Sequence, residues 1–363
     1  MEKLRWALGA LIPVLAFLAA LLAGAAVLAA VRVNPLAAFR ALFEGAFGDL
    51  NAAADTAVRA TPLLFIGLGI CIAFRAGVLN IGGEGQLVAG AVASTAFALW
   101  FAPLPGWLLA PLALAGGAAA GALWGAIAGL LKAHLKVNEI LSTIMLNYIA
   151  VNAMNYLLRG PLMDPRQIQM RSFIPQTARL ARSVDLPRLV PTRLHLGAAV
   201  AVVLAVLVFV LLWRTTVGFR LRVAGANPQA ALRAGIEVKR YTVLALLLAG
   251  LLGGLGGAVE VLGVHHRMFT DGSAFGFTGS AGFNGIVAAL FGRLHPLGTV
   301  PSSLLLGALL TGANRMQRAV QVPAALIGAL NGLIVLFVVG SDVFRRRWER
   351  MKESQAAAAG GEL

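Results

Sequence analysis

The 363-residue chain is 59% hydrophobic and only 12% charged, where a soluble domain carries about 25% charged residues. So few charges cannot cover a soluble protein of this length, and apolar runs of about 20 residues recur throughout, which excludes a large water-soluble domain. The net charge of +15 would suit nucleic acid in a soluble protein, but the basic residues sit between apolar runs and at the C-terminus, where anionic lipid and membrane orientation account for them.

Lys3 and Arg5 precede an apolar run from Trp6 to Val31. That run exceeds the roughly 7–15 residues of a signal-peptide core, so it reads as a retained first span although Ala23-Gly24-Ala25 resembles a cleavage site. Ten candidate spans follow in order: 6–31, 57–74, 84–102, 107–131, 138–158, 195–213, 241–263, 283–293, 296–313 and 321–341. The eighth is too short to cross about 30 Å of hydrocarbon and is expected as a half-helix surrounded by protein. The single cysteine, Cys71, lies inside a span and has no internal disulfide partner.

An even span count puts both termini on one side with the basic segment 214–240, and the positive-inside rule makes that side cytoplasmic. The loop 159–194 would then lie outside, although it holds seven arginines: Arg159, Arg166, Arg171, Arg179, Arg182, Arg188 and Arg193. Charge complementarity would let it meet an acidic partner there.

Gly117, Gly121, Gly125 and Gly129 recur every four residues, as Gly253 with Gly257 and Gly328 with Gly332 also do. Such faces permit the close helix approach that packing in lipid depends on. Two glycine-rich stretches, Gly77–Gln86 and Gly276–Gly285, open spans three and eight. Five spans apart, they match the pattern of inverted-topology repeats.

In the 214–240 loop, Asn227 is a good N-cap, Pro228 suits the first helical position and Gly235 can supply a left-handed C′ residue. They specify a helix of about two turns with an alanine-rich surface, suited to a partner's groove. Asn138 reads as the N-cap of span five, with Glu139 in its first turn. Along that span Asn147, Tyr148, Asn152, Asn155 and Tyr156 fall within one half of the circumference. The stripe either lines a polar pathway or hydrogen-bonds between helices. Glu84, beside Gly82, Gly83 and Gly85, can accept hydrogen bonds from amides at a helix N-terminus.

The segments Asn80-Ile81-Gly82-Gly83-Glu84-Gly85-Gln86, Val137–Tyr148, Gly225–Gly235 and Gly279–Pro296 together resemble the permeases of ABC importers in the branched-chain amino acid, ribose and nucleoside group. The resemblance runs from about residue 57 to 340 and is nearest to nucleoside-type permeases. It implies an all-α polytopic membrane protein, type II importer-like, with about ten transmembrane helices in two inverted five-helix repeats, forming one permease domain over 1–363. Asn227, Pro228, Ala231 and Gly235 would couple to the ATPase. Asn147, Tyr148, Asn152, Asn155, Phe283 and Asn284 are candidates for the translocation path, and Asn80, Gly82, Glu84 and Gln86 for a structural or gating role.

The implied setting is the bacterial cytoplasmic (inner) membrane with both termini cytoplasmic. The implied partners are a cytoplasmic ABC ATPase, a second permease chain (a different one, with a homodimer still open), an extracytoplasmic substrate-binding protein and membrane lipid, but no nucleic acid. The solute would be a nucleoside, with simple sugars and branched-chain amino acids as alternatives. No catalytic residue is expected, since none of Lys3, Lys132, Lys136, Lys239 or Lys352 follows a glycine as a P-loop requires. ATP and Mg would belong to the partner ATPase, leaving no cofactor in this chain. The pair His265 and His266 stands without acidic or cysteine companions at metal spacing, so no metal is expected. Other classes to weigh are an ion-coupled secondary transporter, which needs ionisable residues deep in several spans, and an intramembrane enzyme, which needs a convergent catalytic set.

Overall fold

A computed structural model describes residues 18–340, except 173, 274, 324, 325, 327, 331, 334, 335, 338 and 339. The first part of the expected N-terminal span and the basic C-terminal cluster lie outside the described residues, as do several positions of the last expected span. The described residues are helical with no strand. In chain order they form α1 (Leu18–Ala30), α2 (Pro35–Phe47), α3 (Leu50–Arg75), α4 (Gly83–Trp100), α5 (Gly106–Leu135), α6 (Glu139–Arg159), α7 (Pro165–Gln169), α8 (Leu196–Arg214), α9 (Thr216–Ala226), α10 (Pro228–Arg233), α11 (Val238–Glu260), α12 (Phe275–Thr278), α13 (Ala281–Phe291) and α14 (Pro296–Val320). A π-helical turn, Val261–His265, extends α11. Six of the described helices, α3, α5, α6, α8, α11 with its extension and α14, are long and apolar enough to cross a membrane.

The chain divides into two compact units, one spanning Ala53–Gly307 and the other joining the residues up to Ala52 with those from Ala308 onward. In the second, Asn34 caps α2 by accepting from Leu36 N–H at 2.9 Å, with Pro35 at the first helical position. Leu28, Ala38, Ala41, Ala313, Met316, Val322 and Leu330 form its buried cluster. Neither α2 nor the first turns of α3 was expected from apolar runs, because Arg40, Glu44, Asn51 and Asp55 interrupt them.

In the larger unit, α3 is buried on every side from Ala60 to Ala73. Around it, α4, α5 and α11 pack backbone to backbone. A Cβ added at Gly121 would stand 2.5 Å from Gly254 Cα, one at Gly125 3.1 Å from Gly250 Cα, and one at Gly129 2.9 Å from Val243 Cα. Gly117 meets Gly90 and Ala258 in the same way, so the four-residue glycine spacing of α5 serves contact with α4 and α11. On α11, Gly250 and Gly254 face α5, whereas Gly253 and Gly257 face Gln86 and Leu87 of α4. At Gly328 and Gly332 no described atom outside the local helix lies within 4 Å of where their Cβ atoms would stand.

The loop 159–194 is anchored by its backbone. Thr177 N–H donates to Met268 carbonyl oxygen, Leu180 N–H to His266 and Leu186 N–H to Leu262, at 2.9, 2.9 and 3.1 Å. The segment therefore lies along the π-helical end of α11, which fixes one surface of an otherwise irregular loop.

Gly254→Val inserts an isopropyl group into the α5 seam and should cost about 1–3 kcal/mol or more, seen as a lower thermal midpoint in detergent. Gly328→Ala should stay within about 0.5 kcal/mol. Equal midpoints for the two variants would contradict the glycine-dependent seam.

Candidate functional site

After α3 the chain turns at Gly77, whose φ of +73° suits glycine, and runs to the start of α4. In a membrane interior the backbone groups of such an interruption must find partners within the protein. Asn80 Oδ1 accepts from Gly82 N–H at 2.9 Å. The side-chain amides of Asn80 and Gln86 pair with each other, at 3.2 and 3.3 Å. From α6, Asn147 Oδ1 accepts from Gly85 N–H at 2.8 Å and its Nδ2 donates to the Ile81 carbonyl at 3.0 Å. Asn80, Gln86 and Asn147 are all buried. Asn80, Gly82, Gln86 and Asn147 thus form one network that holds the N-terminus of α4.

Glu84 does the same for the other half of the chain. It is buried, and its Oε2 accepts from Gly282 N–H at 2.7 Å. Thr278 donates its hydroxyl to Oε1, and Phe283 N–H adds a further bond. The carboxylate therefore sits at the positive end of α13, where the helix dipole and its free N–H groups favour an anion. Gly279 and Ser280 reverse the chain between α12 and α13 with φ values of +58° and +61°. A Cβ at Gly282 would meet Glu84 Cα at 2.5 Å, so glycine is what admits the carboxylate. The two glycine-rich stretches seen in the sequence touch at this point, Gly83 lying against Gly282.

The polar stripe of α6 divides. Asn147 is committed to the α4 network, and Asn155 accepts from Thr270 Oγ1 at 2.6 Å while donating to the Gly272 carbonyl at 2.9 Å. Asn152 Nδ2 donates to the Tyr148 carbonyl one turn back, at 2.9 Å. Tyr148 and Tyr156 are 63% and 73% exposed, and Asn152 shares their face with Leu141 and Met145. On α13, Phe283 is 49% exposed and Asn284 half-buried.

At the far end of α8, Asn227 Oδ1 accepts from Ala230 N–H at 3.0 Å, capping α10 with Pro228 at its first position. Gly235 has φ +74°. Its N–H donates to the Leu232 carbonyl and Ile236 N–H to the Ala231 carbonyl, at 3.0 and 2.9 Å, which is the two-bond Schellman ending. Ala231 is fully buried, so it seats α10 on the body of the protein, and the outward apolar residue is Leu232, 56% exposed. Sequence reasoning missed Leu232. Its place next to Ala231, about 100° round the helix, was the available signal.

Beside the anchored loop, His266 Nδ1 lies 2.8 Å from Asp185 Oδ1 and His265 Nε2 3.4 Å from Glu260 Oε1. The histidines thus do have acidic companions, one of them 81 residues away in sequence and so invisible to local spacing. Among the described residues no group of three metal-ligating side chains forms. His195 is buried against Gly263. Arg166, Arg171, Arg182, Arg188 and Arg193 are exposed, and Arg179 pairs with Asp185 at 3.4 Å.

Residues 52–339 match the family model described as the branched-chain amino acid transport system / permease component. The chain is similar to a guanosine ABC transporter permease protein of Bacillus subtilis, 36% identical over 95% of this chain and 97% of that one. A glucose ABC transporter permease protein of Haloferax volcanii is 34% identical over 92% and 88%. A nucleoside ABC transporter permease protein of Lactococcus lactis is 30% identical over 97% of each.

Glu84→Ala leaves the N–H groups of Gly282 and Phe283 without their acceptor and should cost about 1–3 kcal/mol. Glu84→Gln keeps one acceptor and should cost less. Thermal unfolding in detergent checks this order, and equal stability of Glu84→Ala and wild type would contradict the role of the carboxylate.

Proposed function

The chain belongs to the branched-chain amino acid transport system permease family, and from that premise we propose that it carries nucleosides inward as the membrane-spanning subunit of an ATP-driven importer. Two of the three relatives above are named for guanosine or nucleosides and one for glucose, and the nearly complete coverage supports the nucleoside reading. The same relatives favour ABC transport over ion-coupled transport.

In this proposal the ATPase activity, ATP and Mg belong to a partner subunit that docks on α10. The observation that carries this is the helix itself: six residues, capped at both ends, seated by Ala231 and presenting Leu232 outward. Such a helix keeps its shape when pushed, because its terminal backbone groups are already satisfied. Asn227, Pro228 and Gly235 set that shape rather than supply the contact.

The remaining features are proposed with it. The chain lies in the bacterial inner membrane with both termini and α10 cytoplasmic. At about 1.5 Å per residue, the 19 residues of α8 suffice to put the loop 159–194 on the outer face, where its exposed arginines meet an acidic patch of a substrate-binding protein. A second permease chain completes the path, along which Tyr148, Asn152, Phe283 and Asn284 offer aromatic and amide groups to the solute. Ten spans in two inverted repeats are supported by the meeting of the two glycine-rich helix starts at Gly83 and Gly282.

The variant Pro228→Gly with Gly235→Val removes both helix-end signals and forces a branched residue into a left-handed conformation. It should insert in the membrane, fail to co-purify with the ATPase and lose about tenfold or more of ATP-driven uptake. Normal uptake by this variant would overturn the docking role of α10.

A further inference from the structure

We propose that the contact between Gly225 and Gly77 is the joint through which movement of α10 reaches the interior of the permease, with Trp213 as its second anchor. This rests on the reading of α10 as the ATPase-docking helix. Only Asn227 separates α10 from α9, and Asn227 N–H donates to the Val223 carbonyl at 3.1 Å, so the two helices are joined without a slack loop. Gly225, in the last turn of α9, lies on the turn that follows α3. A Cβ there would meet Ala76 C and Gly77 N at 2.5 Å, and one at Gly77 would meet Gly225 Cα at 2.9 Å.

A contact between main chains has no rotamers to absorb a displacement, and protein interiors are too densely packed to compress. A shift of α9 must therefore move residues 76–77. The chain beyond is short. Val78 is fixed in the buried cluster of Ala73, Ala128, Leu246 and Ala249, and Asn80 begins the network that holds α4 against α6. Five residues, 78–82, thus connect the joint to α4, whose Glu84 caps α13.

Trp213 ties the same elements together from the side. Arg222 of α9 and Arg75 at the end of α3 lie over its ring, with Cζ 5.7 and 5.2 Å from the centroid. The His295 ring stands 4.9 Å away, and Arg75 Nε donates to the Leu294 carbonyl at 3.2 Å. Cation–π attraction of this kind strengthens away from water. It holds α9 to the end of α3 and to the turn before α14, so neither can lag when α9 moves.

The test uses the full complex with its ATPase and binding protein, comparing wild type, Gly225→Ala and Trp213→Leu. Three quantities are measured: ATPase retained on purification, ATP hydrolysed, and labelled guanosine accumulated per ATP. A joint predicts full retention and continued hydrolysis, with guanosine moved per ATP falling about tenfold in Gly225→Ala and about fivefold in Trp213→Leu. Unchanged guanosine per ATP in both variants overturns the proposal. Loss of the ATPase from Gly225→Ala also overturns it, since Gly225 would then serve docking. If Gly225→Ala does not insert, the ratio in Trp213→Leu decides alone. Failure of the docking role of α10 registers separately, as retention of the ATPase by the Pro228→Gly, Gly235→Val variant.

Discussion

A helix interrupted inside a membrane leaves N–H groups that no water can satisfy, and this protein answers the requirement from its own buried side chains. Asn80, Gln86 and Asn147 serve the start of α4, and Glu84, itself on α4, serves the start of α13. The start of α4 is therefore held by the adjacent Asn80 and Gln86 together with Asn147 of α6, and the start of α13 by Glu84 of α4. Gly85, against Asn147, and Gly282, against Glu84, bring the backbones close enough for these short side chains to reach.

The consequence for transport is a stiff interior linked to a stiff peripheral helix. Asn147 and Asn155, which look like pathway residues in a membrane span, are used to hold helices and loops in register. Tyr148, Asn152 and Tyr156 remain on the open face of α6, where polar groups need a protein or aqueous neighbour rather than lipid. In the proposed importer, a second permease chain and the solute path would both meet that need.

Local signals carried most of what was legible in the sequence. The caps Asn138, Asn227, Pro228 and Gly235 depend on neighbours within about four residues, and the structure uses them as their types suggest. The glycine spacing of α5 was legible for the same reason. What was hidden depends on distant partners. Glu84 was readable as an acceptor for a helix N-terminus, but its partner Gly282 lies 198 residues away, and the same holds for His266 with Asp185. The inward turn of Ala231 and outward turn of Leu232 depend on how α10 seats, which alanine-rich composition does not reveal. Helix α2 was missed because an amphipathic helix with Arg40 and Glu44 on its surface gives no continuous apolar run.

The most direct measurement of the central claim is uptake into proteoliposomes holding this chain with its second permease, ATPase and binding protein, using labelled guanosine, glucose and leucine with and without ATP. Guanosine should accumulate only with ATP, and excess glucose or leucine should not compete. Accumulation of glucose or leucine in place of guanosine, or guanosine uptake that persists without the ATPase, would contradict it.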